Sequence, residues 1–280
     1  MADMSLKKIA ILIILLVSGI PLCASAAGSD IEVKKDALKN QPKAEESAKE
    51  RVFISSFFDY GTAELPSGDQ TWTALMARAA YLYKNLQLPY FQFSRYLRGG
   101  NANYTYDLGG YYKIKRCYLN VETGAGSSVD YIYKYKFFGE FSHPIYKTLY
   151  LRERYKFLLY KNENFNILAP ALVYYFGNHY IEAEYDAEFS SQRGYAQWGS
   201  AKFNLNVFKT ADIWIGGVVG ERVYDILALP SAVDEFGFIV YSGFRFSPVK
   251  NLFFSTTISY AQEDPSFKHR SIIAGLYYKF

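Results

Sequence analysis

The alternation of apolar and polar side chains along short segments constrains the fold of this chain most. Successive side chains of a β-strand point to opposite faces, so strict alternation predicts a strand with one apolar and one polar face. A soluble surface strand and a strand of a membrane barrel both show this pattern. The clearest case is the segment 179–190, where the apolar set is Ile181, Ala183, Tyr185, Ala187 and Phe189 and the acidic set is Glu182, Glu184, Asp186 and Glu188.

Two further segments alternate in the same way. In 147–160, Leu149, Leu151, Tyr155 and Phe157 oppose Arg152, Arg154 and Lys156, with Glu153 as an exception on the apolar face. In 130–142, Tyr131, Tyr133, Tyr135, Phe137 and Phe141 oppose Lys134, Lys136 and Glu140. The segments 165–176 and 212–224 alternate poorly, so their facing is not predicted.

Turn-forming residues divide the chain beyond residue 51 into fourteen predicted strands. The predicted strands are 51–62, 71–84, 89–98, 103–115, 116–126, 130–142, 147–160, 165–176, 179–190, 196–208, 212–224, 235–247, 251–262 and 268–280. Connections at 64–70, 98–102, 190–195, 225–234 and 263–267 are longer, and those at 177–178, 209–211 and 248–250 are tight. Long loops at one end and short turns at the other are typical of outer-membrane barrels.

The chain before the strands divides into two segments. Residues 1–26 contain Lys7 and Lys8, an apolar stretch and the small residues Ala24 to Ala26, an order that predicts a cleaved secretory signal peptide. Residues 27–50 are rich in Lys, Glu, Asp and Ala and lack aromatic residues, so we expect a flexible periplasmic tail. The predicted barrel domain is 51–280.

The expected membrane location rests on two features, the absence of a long apolar segment and the pattern of the last strand. After residue 26 no run of about 18 apolar residues occurs, which leaves a closed barrel as the only membrane-spanning fold. Tyr and Phe number 27 and 22, as expected where apolar surface meets water. Gly275, Tyr278 and Phe280 resemble the terminal signal that barrel proteins carry for their assembly machinery. We therefore expect an all-β antiparallel transmembrane barrel of about fourteen strands (twelve to sixteen) in the bacterial outer membrane, with outer-membrane lipid and that machinery as partners.

Several stretches resemble the YaiO-type family of outer-membrane β-barrels. They are Phe57–Gly61, Phe91–Arg95, Gly109–Lys113, Leu119–Gly126 and Gly275–Phe280, and the resemblance covers roughly residues 52–280. It implies the barrel fold, an envelope role and an association with components that export surface polysaccharide.

The charged faces suggest a function. Arg152, Arg154 and Lys156 on one strand and Glu182, Glu184, Asp186 and Glu188 on another are expected to face the lumen, where rings of charge select ions. The favoured alternative is that opposite charges pair across the lumen and fill it. Basic and acidic residues are interleaved along the chain, with a net charge of +4, so no nucleic-acid partner is expected.

An enzyme is the rival class. His269 and Ser271 lie two apart on the last predicted strand, a spacing similar to that of outer-membrane lipid A deacylases, but no acidic residue follows Asp264 to support them. The three histidines show no metal-ligand spacing, and no cofactor motif occurs. We therefore expect no catalytic residue, no metal and no cofactor, and a non-enzymatic role as a structural barrel or narrow pore.

Overall fold

The computed structural model is a closed antiparallel β-barrel in which each strand pairs with the next and β1 pairs with β14. It describes residues 51–65, 67–83, 86–127, 132–208, 210–221, 236–249, 251–263 and 267–280. The expected signal peptide (1–26) and tail (27–50) lie outside these ranges. Within the described ranges, no helix is long and apolar enough to cross a membrane.

The described residues form fourteen strands, the number predicted from the turn residues. They are β1 (Arg51–Glu64), β2 (Gln70–Tyr83), β3 (Leu86–Arg98), β4 (Asn101–Ile114), β5 (Cys117–Gly126), β6 (Tyr135–Tyr146), β7 (Leu149–Leu159), β8 (Asn164–Phe176), β9 (His179–Ser190), β10 (Gly194–Phe208), β11 (Ala211–Glu221), β12 (Phe236–Val249), β13 (Leu252–Glu263) and β14 (Phe267–Lys279).

The connections at the two ends of the barrel differ. At the end where β1 begins and β14 ends, here called the terminal end, neighbouring strands are joined by tight turns that place Lys115, Lys147 and Gly177 at positive φ. At the opposite end, here called the loop end, some neighbouring strands are farther apart in sequence, as between Gly126 and Tyr135 and between Glu221 and Phe236. One prediction is wrong here: 98–102 is a two-residue turn, because Gly99 and Gly100 adopt φ values of 53° and 84° that few other residues tolerate.

Side chains of every strand point alternately toward the barrel axis (inward) and away from it (outward). On β9, Ile181, Tyr185 and Phe189 are exposed on the outside, and the acidic residues alternate with them on the other face. On β8, burial alternates from residue to residue between Asn164 and Tyr174. No facing was predicted for this strand because apolar residues lie on both of its faces. Its inward residues are Phe165, Ile167, Ala169, Ala171 and Val173.

The sixth strand begins later than predicted. β6 starts at Tyr135, so Tyr133 and Lys134 lie in the connection before it, and Tyr131 lies outside the described residues. The Tyr133 hydroxyl donates a hydrogen bond of 2.6 Å to Asp107 Oδ1, and this contact draws the side chain toward the lumen instead of onto an outward apolar face. The extension of β6 to Tyr146 also places His143 on a strand, where a turn was predicted.

The outward residues of the barrel are mostly apolar or aromatic. Aromatic side chains are frequent at both ends, and the middle contains aliphatic side chains together with a few aromatic ones such as Tyr106 and Tyr185. The aromatic residues near the terminal end are Tyr112, Tyr146, Tyr174, Phe208, Phe246 and Tyr278, and those near the loop end are Tyr60, Tyr135, Phe189, Tyr195 and Phe236. An apolar belt flanked by two aromatic girdles is the surface that a bilayer requires.

Some inward glycines allow large rings to lie against the wall. At Gly243 of β12, a Cβ atom would stand 2.5 Å from the Thr256 carbonyl oxygen and 2.6 Å from the Trp214 ring. Neither a backbone oxygen nor a packed indole can move away cheaply. Gly243 is therefore needed for the close approach of Trp214 to β12.

We expect Gly243→Val to lower the free energy of unfolding by about 1–3 kcal/mol, because the new side chain overpacks the lumen wall. Denaturant unfolding followed by tryptophan fluorescence would measure this loss. Gly139→Val is the matched control, since a Cβ there would meet no atom closer than 3.8 Å. Equal unfolding midpoints for the two variants would contradict the packing argument.

Candidate lumenal charge network

Two oppositely charged strands line the lumen on either side of an uncharged one. β7 contributes Arg152, Arg154 and Lys156, and β9 contributes the acidic residues, while β8 lies between them. In the sheet register Arg152 stands opposite Ala171, which in turn stands opposite Glu184. Because alanine fills little space, the arginines can reach over β8 to the carboxylates of β9.

The arginines use that route. Arg152 Nη2 lies 2.5 Å from Glu182 Oε1 and 3.3 Å from Glu184 Oε2, and Arg154 Nη2 also pairs with Glu184. Glu140 of β6 adds a second carboxylate, 3.7 Å from Arg152 Nε and 3.9 Å from Arg154 Nε. We call these five residues the lumenal charge network.

The network is shielded from water. The exposed fraction of the side chains is 9% for Glu184 and 28% for Arg154, with the other three between these values. Ion pairs with this little exposure are screened less than surface pairs, and removal of one partner leaves a charge without compensation. Opposite charges therefore pair between nearby strands along the lumen wall, whereas the predicted alternative was pairing across the lumen that fills it.

The remaining predicted lumenal residues continue the two charged rows toward the loop end. Asp186 faces Arg154 across Ala169, and Lys156 and Glu188 both stand opposite Ile167 in the register. Asp186 and Glu188 are buried. All seven predicted charges thus point inward, and four of them belong to the network itself.

A second ion cluster was not predicted. Lys136 Nζ of β6 lies 2.8 Å from Asp107 Oδ1 and 2.5 Å from Glu122 Oε1, so one cation serves carboxylates from β4 and β5. Tyr133 and Tyr90 donate hydrogen bonds to the same two carboxylates. Burial raises the pKa of Tyr133, which lies outside the strands, and its bond to Asp107 acts in the same direction. The sequence signal that could have indicated this cluster is that Glu122 and Lys136 each alternate with less polar neighbours on their own strands.

A third cluster lies near the terminal end. Arg245 Nε of β12 donates a 2.8 Å hydrogen bond to Asp212 Oδ2 of β11. Asn206 Nδ2 of β10 donates a 2.7 Å bond to the other oxygen, Asp212 Oδ1. Each cluster pairs cations with acids, and in the first two clusters the acids exceed the cations by one.

The histidine and serine of the hydrolase alternative do not form a catalytic arrangement toward lipid. His269 and Ser271 point inward, away from the outer surface that contacts lipid. The His269 ring packs against Trp72 with centroids 5.1 Å apart, and Ser271 Oγ lies 2.8 Å from Ser259 Oγ. The geometry does not support a lipid-modifying hydrolase. The three tryptophans, Trp72, Trp198 and Trp214, all sit at inward positions.

The two remaining histidines have no common site. The His179 ring accepts a 3.1 Å hydrogen bond at Nδ1 from the Asn206 backbone, and His143 packs against Phe141. Among the described residues, no group of three or more His, Cys, Asp or Glu side chains is placed to hold a metal ion.

The three residues of the predicted assembly signal occupy both faces of β14. Tyr278 and Phe280 point outward at the terminal end, with ring centroids 4.6 Å apart. Gly275 points inward, where a Cβ would stand 2.5 Å from Ser255 Oγ and 3.0 Å from the Phe57 ring. The glycine thus permits packing inside the barrel while the two aromatic residues remain available outside.

No protein-family model matches the chain, and no curated protein matches it. Solved structures with similar architecture include OpdO from Pseudomonas aeruginosa, at 10% identity and a TM-score of 0.46 over 83% of this chain and 97% of that one. An anion-selective porin from Comamonas acidovorans has 7% identity and a TM-score of 0.46 over 84% of this chain and 100% of that one. The translocator domain of the autotransporter NalP from Neisseria meningitidis has 12% identity and a TM-score of 0.44 over 84% of this chain and 90% of that one. At these identities the likeness lies in barrel architecture alone.

We expect Ala171→Leu to lower the free energy of unfolding by about 1–3 kcal/mol, because the larger side chain enters the space through which Arg152 reaches Glu184. Denaturant titration of the folded barrel would measure the change. Ala183→Leu is the matched control, since Ala183 points outward and a larger apolar side chain there meets only lipid. The bridging model would be wrong if Ala171→Leu unfolded at the same midpoint as the unmodified protein.

Proposed function

We propose that this protein is an integral outer-membrane barrel that forms a narrow, weakly selective pore through a lumen of mutually paired charges. The observation that carries the proposal is the contrast between the two faces of its wall. Apolar and aromatic side chains dominate the outside, and ion pairs line the inside. A lipid-facing outside and a polar inside are what a membrane barrel needs to hold water or solute.

The orientation follows from the connections. Bacterial barrels place short turns in the periplasm and longer loops outside the cell, so the terminal end faces the periplasm. Tyr278 and Phe280 then lie at the periplasmic rim, in reach of the machinery that inserts barrels. Membership in the YaiO-type family and association with polysaccharide export components are further parts of this proposal, and they rest on the sequence resemblance.

Weak selectivity follows from charge compensation. Arg152 and Arg154 are matched by Glu182, Glu184 and Glu140 within the network, and Lys136 is matched by two acids of its own cluster. Ions that enter such a lumen meet alternating dipoles rather than a ring of one sign. A strong preference for either sign is therefore not expected.

The barrel itself is tested by gel migration. We expect unboiled protein from isolated outer membranes to migrate differently from boiled protein, because a closed barrel resists unfolding in cold detergent. Equal migration, together with recovery of the protein in the soluble periplasmic fraction, would overturn the proposal at its base.

The pore is tested by reversal potentials in planar bilayers. We expect the double variant Glu182→Gln/Glu184→Gln to shift severalfold toward anions, since Arg152 and Arg154 lose their main partners. Glu153→Gln is the control, because Glu153 lies on the outward face of β7. If the unmodified protein shows no conductance, only a structural barrel remains of the proposal. An unchanged reversal potential in the double variant would contradict the assignment of the network to the pore wall.

A further inference from the structure

Three tyrosines line the lumen side by side near the periplasmic mouth. Tyr150 and Tyr180 are the second residues of β7 and β9, and Tyr175 is the last but one residue of β8. Tyr150 shares its inward face with Arg152, and Tyr180 shares its own with Glu182. We call Tyr150, Tyr175 and Tyr180 the tyrosine arc.

The rings contact one another without forming a closed stack. Tyr150 and Tyr175 meet edge to face, with centroids 5.5 Å apart and planes at 81°. Tyr175 and Tyr180 lie 5.8 Å apart at 49°. An edge-to-face contact covers one face of only one of the two rings, so the arc keeps open aromatic surface toward the lumen.

The arc is open to solvent inside the barrel. Tyr175 has an exposed fraction of 42%, although its side chain points inward. Membrane anchoring, which explains outward tyrosines, does not explain these three. Packing to fill the lumen would leave Tyr175 covered.

Charged and polar groups lie beside the arc. Lys202 Nζ lies 5.7 Å from the Tyr180 ring centroid and 5.9 Å from that of Trp214. Glu182 stands opposite Lys202 in the register and is paired with Arg152. The surface thus offers aromatic faces together with hydrogen-bond donors and acceptors.

We propose that the tyrosine arc binds neutral oligosaccharides at the periplasmic mouth of the barrel. The apolar C–H faces of a sugar ring pack on aromatic faces, and its hydroxyl groups need both donors and acceptors at the edges. The spacing of the rings is comparable with the length of one sugar unit, so neighbouring units can contact neighbouring tyrosines. This inference deepens the proposed pore function and rests on it, because the ligand must reach the lumen.

The test measures binding separately from conductance. The folded full-length barrel in detergent is titrated with two hexasaccharides, one of α-1,4-linked glucose and one of β-1,4-linked N-acetylglucosamine, and heat is recorded by calorimetry. We expect at least one to bind, and the triple variant Tyr150→Ala/Tyr175→Ala/Tyr180→Ala to weaken binding by about tenfold or more, because the stacking surface is removed. The corresponding triple Phe variant keeps the ring faces and is expected to retain most of the affinity.

The matched control removes three outward tyrosines: Tyr135→Ala/Tyr174→Ala/Tyr185→Ala should bind as the unmodified protein does. Each variant is first shown to keep its gel shift, so that loss of folding is not mistaken for loss of the site. The proposal is overturned if neither sugar binds, or if the inward Ala variant binds as tightly as the unmodified barrel. Saccharide binding without conductance would overturn the pore proposal and leave the saccharide site standing. Conductance without saccharide binding would overturn the saccharide site and leave the pore proposal standing.

Discussion

The structure depends on the pairing of β1 with β14. A barrel in a bilayer has no water to satisfy a free strand edge, so the first and last strands must complete each other's hydrogen bonds. The register runs from Phe53 opposite Lys279 to Glu64 opposite Lys268, almost the full length of both strands. Once this seam is closed, every side chain must point either to lipid or to the lumen, and all features of the interior follow from that division.

The interior solves a problem that closure creates. A wall of fourteen strands surrounds space that must hold side chains, water or solute. This protein lines that space with local ion pairs, such as Arg152 with Glu182 and Lys136 with Glu122. In each cluster most of the charge is compensated within a few neighbouring strands. The lumen can therefore be polar without a strong field of one sign along its axis.

The sequence predicted those parts of the fold that depend on local pattern. The number of strands was correct, and a charge at every second residue of β9 gave the clearest prediction of an inward face. The facing of β8 could not be predicted, since both of its faces are apolar, and its inward alanines are explained only by the arginines of β7. The pairing of Lys136 with Asp107 joins strands that are distant in sequence, so it depends on barrel register and not on spacing. The same holds for the tyrosine arc, whose inward direction becomes visible only when the strand ends are fixed.

The small inward side chains of β8 have a consequence for how such a barrel can change over evolutionary time. Ala169 and Ala171 carry no charge, but they decide which acids the arginines of β7 can touch. An exchange of alanine for a bulkier residue would redirect those arginines toward other partners while the total charge of the lumen stayed constant. Related barrels can in this way come to differ in lumenal ion pairing through substitutions in β8, a strand that a comparison of charged residues alone would not identify.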